Sequence, residues 1–341
     1  MTRNENTSRN DGAEPVRRLT MGDLATLAGV SKITVSRALK NSPLVREKVR
    51  EQIQELARTQ GYRLNTAARN LRLRRNHGIT AVVEMTPTAD RTMSDPTILA
   101  ALGGLLQVMT DAGYRVILTT LTQLLQSRHD DSDGIILLGQ GKDSEAVRWV
   151  SKLGLPLIVW GSPSESDGDW LTVGSDNRAG GRFIGEHLAS LGRRRILFLG
   201  DPAHPEIGER LAAIREASGA DVEVQPCDFG IGAGTRAMQE ALERGWRGDA
   251  VAAASDTIAL GAMAALIEAG IAIPGEVAVT GFDDIPASTA SAIPLTTVRQ
   301  DWQKAGELVG TKLLQWLGDG APTPEQLPVE LVVRSSTIGN G

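Results

Sequence analysis

A single cysteine, Cys227, stands in a chain of 341 residues, so no disulfide forms within it and no cluster of thiolates holds a metal. Histidine is nearly as scarce. The four present, His77, His129, His187 and His204, show no spacing at which two imidazoles would share an ion, and no metal or other cofactor is expected. Nowhere do eighteen apolar residues run together, which argues against a membrane-spanning helix, and the first sixteen residues lack the apolar stretch of a secretory signal. The expectation is a soluble, cytoplasmic protein with no membrane partner. Catalytic constellations are missing too: no paired carboxylates, Ser-His-Asp set or Cys-His pair is evident. The glycines of Phe229–Gly234 follow G-x-G-x-G rather than the phosphate-binding G-x-G-x-x-G and do not open the first strand-helix unit, so an enzyme is not expected.

What is present points to more than one domain. The length exceeds that of one typical core, and 41% apolar residues suffice for several. The net charge of -5 hides an asymmetry. Residues 16–77 carry 14 lysines and arginines against 4 acids, whereas residues 78–341 carry 20 against 34. A small basic head on an acidic body suits a polyanion-binding module joined to a part that must stay off the polyanion.

The head reads as three helices. Thr20 is placed to cap a helix from Met21, with Asp23 completing a capping box and Leu24 and Leu27 forming its apolar face. Gly29 permits a left-handed turn, Val30 buries, and Ser31 caps a second helix over residues 32–39. Small Ala25, Gly29 four residues on and apolar Val35 six after that are the spacing of a helix-turn-helix. A third helix, 46–60, carries Val49, Ile53 and Leu56 on one stripe and leaves at Gly61.

The run from Leu19 to Val45, followed by the segment from Gln60 to Leu71, resembles the LacI/GalR family of bacterial transcription regulators. That resemblance implies an all-α DNA-binding head, a hinge helix, and two doubly wound α/β lobes of the periplasmic-binding-protein type, assembled as a homodimer on an inverted-repeat DNA operator. It places Lys32, Ile33, Thr34, Ser36 and Arg37 toward the major groove, where Lys32 and Arg37 are able to donate to guanine and Ile33 to meet a thymine methyl. Thr34 and Ser36 suit phosphate contacts that position without reading sequence. It also makes 64–77 the hinge, with Asn65, Ala68, Leu71 and Arg72 at the minor groove and Leu71 as the wedge between base pairs. Leu64 stands where the family usually has proline.

Beyond residue 78 strands and helices alternate. Strands are expected at 79–83, 115–118, 134–138 and 157–160 in one lobe, and at 195–199, 222–225, 250–253 and 277–280 in the other. Helices are expected at 97–112, 144–153, 178–191, 207–217, 235–244 and 257–269. The cleft at the carboxyl ends of the strands is then the default ligand site. The predicted organisation is a disordered tail at 1–16, the head at 17–63, the hinge at 64–77 and the core at 78–341. Within the core, one lobe takes about 78–174 and 298–321, the other about 175–297 and 322–341. The resemblance continues through the segments beginning at Ser175, Ser255 and Pro294, and implies a small-molecule effector, a sugar or sugar derivative. On it, Arg210 anchors the effector, Asp283 faces it, Phe229 stacks on a ring, and Ser255 and Asp256 add polar contacts. Trp160, at a strand end, is a second stacking candidate, and His204 and Glu206 lie on a cleft-facing loop. Trp149, Trp246, Trp302 and Trp316 read as core or interface. Fewer residues separate Leu118 from Gly134 than is usual in the family, and Thr97 and Ile98 stand where relatives often place aromatics. The competing readings are a solute-binding protein, which the basic head argues against, and a sugar-metabolising enzyme.

Overall fold

The structure, a computed structural model, describes residues 20–39, 42–60, 76–85, 93–126, 132–163, 170–318 and 320–339. The tail expected at 1–16 lies outside the described residues, as does the hinge up to residue 75 with Asn65, Ala68, Leu71 and Arg72. The chain divides between residues 74 and 75 into two compact units.

In the first unit, helices α1 (Met21–Leu27), α2 (Lys32–Ala38) and α3 (Glu47–Thr59) form the head. The capping box at Thr20 and Asp23 is present, and Ser31 accepts from the Thr34 amide to start α2. Leu24, Ala25, Val35, Ala38, Val45, Ile53 and Ala57 make the core, and Gln54 of α3 donates to the Ala38 carbonyl at 3.0 Å, tying α3 to the end of α2. Leu27 departs from expectation: it stays 58% exposed, and Val30 is only half-buried. A three-helix interior is too small to enclose every apolar residue its helices offer.

The second unit holds two six-stranded sheets. The first contains β1 (Gly78–Val83), β2 (Arg115–Thr120), β3 (Ile135–Leu138), β4 (Leu157–Trp160), β5 (Trp170–Ser175) and β11 (Gln326–Leu327), in the order β11-β5-β4-β3-β1-β2, all parallel. The second contains β6 (Arg195–Leu199), β7 (Asp221–Gln225), β8 (Ala250–Ala253), β9 (Ala278–Asp283), β10 (Thr296–Arg299) and β12 (Glu330–Val332), in the order β12-β10-β9-β8-β6-β7, with only β12 antiparallel. Strands β1, β3, β4 and β8 are buried along their whole length, as helices on both faces require. No helix among the described residues is long and apolar enough to cross a membrane.

The helices of the first lobe are α4 (Pro96–Asp111), α5 (Leu121–Gln126), α6 (Glu145–Val150) and α12 (Trp302–Leu317), and those of the second are α7 (Asn177–Ser190), α8 (Pro205–Ser218), α9 (Ile231–Glu243), α10 (Asp256–Glu268) and α11 (Pro286–Ala290). The chain passes between lobes three times: after β5, after β10 and after β11. Two of these passages differ from the sequence reading. Strand β10 lies entirely in the second sheet, so the second passage follows Arg299. Strand β11 pairs with β5, so the third falls after Leu327 rather than near 321. A two-residue strand carries no period to reveal it. The short stretch after Leu118 holds the end of β2 and the six-residue α5.

Helices α4 and α12 touch backbone to backbone. A Cβ at Gly306 would lie 1.8 Å from the Ala101 carbonyl oxygen, and one at Gly104 would lie 2.1 Å from that of Gln303. Neither space accepts a methyl group without parting the helices. Gly306→Ala is therefore expected to lower unfolding free energy by about 1–3 kcal/mol through overpacking. Gly103→Ala, on the open side of α4 with nothing within 4 Å of its Cβ, should be neutral or stabilise by up to about 1 kcal/mol through helix propensity. Urea titration of both variants checks this; equal effects would show that the close approach has no energetic weight.

Candidate functional site

The carboxyl ends of the strands from both lobes converge on one cavity, enclosing about 920 Å³ of space between protein atoms, part of it open to solvent. The first lobe contributes Val83 at the end of β1 and Glu84 after it, Asp95, Thr97, Ile98 and Ala101 around the start of α4, Leu138, Trp160, and Trp302 at the start of α12. From the second come Asn177, Glu206, Arg210, Phe229, Ser255, Thr257, Asp283 and Ile285, with Gln300 at the second passage.

Arg210, on α8, is buried. Its Nε donates to Asn177 Oδ1 at 2.8 Å, one terminal nitrogen donates to the Ala254 carbonyl at 2.6 Å, and the guanidinium lies 3.6 Å from the centroid of the Phe282 ring. Burial works against its charge and lowers its pKa; nearby carboxylates, Asp283 foremost, oppose that shift. Asn177 carries the contact onward, its amide donating to Ser162 Oγ at 3.0 Å in the first lobe. Ser162 Oγ in turn donates to Glu209 Oε2 at 2.9 Å, and the Ser162 backbone and the Gln140 amide exchange two hydrogen bonds.

Asp283 ends β9 with φ at +119°, followed by Asp284 at +56°. Non-glycine residues in this region store strain, which the surroundings must hold in place. Here they do so through Asp284, whose carboxylate pairs with Arg299 at 2.7 Å and Arg334 at 2.5 Å. Asp283 itself turns to the cavity wall and accepts from Gln300 Nε2 at 2.6 Å. Burial pushes its carboxyl up to about 8, against the pull of Arg210.

Six of the eight residues singled out by sequence for the effector line this cavity: Arg210, Asp283, Phe229, Ser255, Trp160 and Glu206. Two stand behind it. Asp256 is fully buried and accepts from the Ile285 amide and from the hydroxyls of Ser288 and Thr297, at 2.5–2.9 Å. It ties α10 to the segment beneath the site and offers nothing to a ligand. Burial raises its carboxyl to about 6. His204, buried just before α8, meets the Phe229 ring edge-on at 5.7 Å and stands behind that aromatic, outside the cavity lining. Trp302 corrects the sequence reading in the opposite direction. Taken there as core or interface, it lines the cavity with its ring 5.8 Å from that of Trp160. Its place as the first residue of α12, directly after the second passage, was the available signal. Among the described residues no group of histidines, cysteines and carboxylates is arranged to hold a metal.

On the head, Lys32, Ile33 and Arg37 are exposed on α2, while Thr34 and Ser36 are half-buried. Ile33 is 64% exposed at the first turn, an apolar side chain presented outward beside a lysine. Thr34 Oγ1 lies 2.9 Å from Ser31 Oγ, engaged in the cap.

The raised carboxyls fix a pH dependence. Folded Asp283 and Asp256 hold protons that the unfolded chain releases near 3.8, so between about pH 4 and 8 the folded state binds more protons and stability falls as pH rises. The melting temperature should decline from pH 5 to pH 9. Asp283→Asn should flatten that decline and melt higher than wild type at pH 9. Parallel curves would mean the Asp283 carboxyl does not retain its proton.

Residues 20–65 match the bacterial regulatory proteins of the lacI family, and residues 186–337 match the periplasmic binding protein-like domain. The HTH-type transcriptional regulator CelR of Thermobifida fusca is 31% identical over 336 residues, covering 94% of this chain and 96% of that protein. A solved complex of the transcriptional regulator CelR with cellobiose superposes with a TM-score of 0.68 at 29% identity, over 94% of this chain and 100% of that one. The lac repressor dimer bound to operator and the anti-inducer ONPF shares the fold, with a TM-score of 0.80 at 24% identity over 95% of this chain and 100% of that one. The chain thus belongs to the LacI family of bacterial transcription regulators, and is a DNA-binding regulator rather than an enzyme.

Proposed function

We propose that this regulator is a cytoplasmic homodimeric repressor of a carbohydrate-utilisation operon, whose hold on an inverted-repeat operator is set by a small sugar or sugar derivative bound between the lobes. The observation that carries this is the cavity: a fixed guanidinium and carboxylates face the same space as Trp160, Trp302 and Phe229. Vicinal hydroxyls suit bidentate charged groups, and the apolar face of a sugar ring suits an aromatic wall. The cellobiose bound by the similar CelR is a ligand of this chemistry.

On this reading Lys32, Ile33 and Arg37 meet base edges, Thr34 and Ser36 meet phosphates, and Asn65, Ala68, Leu71 and Arg72 engage the minor groove. A ligand that changes lobe closure shifts the spacing of the paired hinges and so biases DNA binding.

The test is operator binding with and without a sugar that raises the melting temperature. The regulator's own promoter region serves as DNA, and wild type is compared with Ile33→Ala and Arg210→Ala. Coupling of about 1–3 kcal/mol, roughly 5–150-fold in operator affinity, is expected for wild type. Ile33→Ala should alter base preference and keep the response. Arg210→Ala should bind operator and lose the response; a full response in that variant at the same ligand concentration would remove the cleft from the mechanism.

A further inference from the structure

Charge around the cavity is one-sided. Among the described lining residues stand the carboxylates Glu84, Asp95 and Glu206 and the carboxyl of Asp283, which burial raises to about 8, against one cation, Arg210. That cation is partly committed, with two of its nitrogens donating to Asn177 and to the Ala254 carbonyl. Lys142, the cation of the short 3-10 turn after β3, is held by Asp201 at 2.8 Å and lies 4.0 Å from Asp228. An anionic group entering this space would meet like charges in a partly desolvated setting, with little free positive charge among the described residues to receive it.

Two residues of the cavity lining each carry a buried polar atom with no partner among the described residues: Glu206, through Oε2, from the second lobe and Trp302, through Nε1, from the first. One is an acceptor and the other a donor. Buried polar atoms cost stability unless satisfied, and a hydroxyl group donates to the first and accepts from the second. A carboxylate or phosphate serves only the indole, and sets its charge against Glu206.

We propose that the cleft is selective for uncharged saccharides and rejects their acidic counterparts, sugar phosphates and sugar acids, with Glu206 as the excluding residue and Trp302 as a hydroxyl-binding partner across the lobes. This rests on the carbohydrate reading above and narrows it to one charge class. Asp95 contributes to the same field from the first lobe while its Oδ1 accepts from the Thr97 amide and hydroxyl at 2.9 and 2.6 Å.

The experiment uses the full chain and matched probes: glucose, cellobiose and maltose against gluconate, glucose 6-phosphate, cellobionate and maltobionate, read by thermal shift and calorimetry on wild type, Glu206→Gln and Arg210→Ala. At least one neutral sugar should bind wild type, with its acidic counterpart weaker by roughly a hundredfold or more. Glu206→Gln should narrow that ratio by about tenfold, because an amide keeps the shape and removes the charge. An acidic probe binding as well as or better than its neutral partner, with binding lost in Arg210→Ala, overturns the charge selection and leaves the cleft reading standing. Binding retained in Arg210→Ala overturns the cleft reading itself. Failure of every probe, neutral and acidic, overturns the carbohydrate reading and the charge selection with it. An unchanged ratio in Glu206→Gln, with neutral binding intact, removes Glu206 as the excluding residue.

Discussion

The organisation of the core turns on one desolvated guanidinium. Taking the Arg210 charge out of water costs several kcal/mol, and the cost is offset only if its donors are satisfied and its surroundings polarise toward it. Asn177, the Ala254 carbonyl and the face of Phe282 do this together. Each belongs to a different part of the second lobe: the start of α7, the end of β8 and the body of β9. The arginine thereby locks a helix start, a strand end and the neighbouring strand into one geometry. Loss of a partner from such a site typically costs about 3–5 kcal/mol, because a buried charge is left uncompensated. Asn177 is as exacting a position as the arginine it holds.

The same asparagine also sits immediately after the first passage between lobes, and its amide reaches Ser162 in the opposite lobe. Arg210 is thus one side chain removed from the lobe junction. The sheets on either side are stiff, since their central strands are buried throughout and their helices pack with glycine against carbonyl. Alongside Gly306 and Gly104 in the first lobe, Gly261 and Gly234 bring α9 and α10 into the same kind of contact. Rigid bodies joined by short passages respond to a ligand at the junction by turning as units, since packed interiors deform little. Among the described residues, contacts that a turn would strain include Lys142 with Asp201 and Asp228, the Asp143 amide with the Ala203 carbonyl, and Ser162 with Glu209 and Asn177.

Much of this was legible in the sequence wherever a residue's local chemistry dictated its role. Thr20, Asp23 and Ser31 announced helix starts because a hydroxyl or carboxylate at that position has a backbone amide to satisfy. Fully apolar four-residue strands such as β4 and β8 stood out between glycines and charged helices. Strand β5 was missed: its run from Trp170 to Ser175 mixes an aromatic, a threonine and a glycine without a period. The site was legible in its types and less so in its orientations. Asp256 and Asp283 are both acids at the ends of second-lobe strands, yet one turns under the site and the other onto its wall. What separates them is three donors supplied by residues 285, 288 and 297, distant in sequence. Trp302 differs, since its place at a helix start directly after the second passage is a mark that it faces the cleft.

The Asp283–Asp284 step shows how such an orientation is enforced. Two consecutive non-glycine residues at positive φ cost of order 1–3 kcal/mol each, so the sequence would relax this turn if nothing opposed it. Opposition comes from Asp284, nearly buried and gripped by Arg299, at the second passage between lobes, and Arg334, near the end of the described chain. Charge-assisted hydrogen bonds of this kind are among the stronger ones available, and a single carboxylate gathers both arginines. With Asp284 pinned outward, the strained backbone leaves Asp283 no direction but the cavity, where Gln300 steadies it. The acid on the wall is therefore set by its neighbour, and that neighbour is held by Arg299, the last residue before the chain passes to the first lobe. Any turning of the lobes that shifts Arg299 bears on the strained step directly, which gives the cleft and the passage a shared element without a chain of contacts through the core.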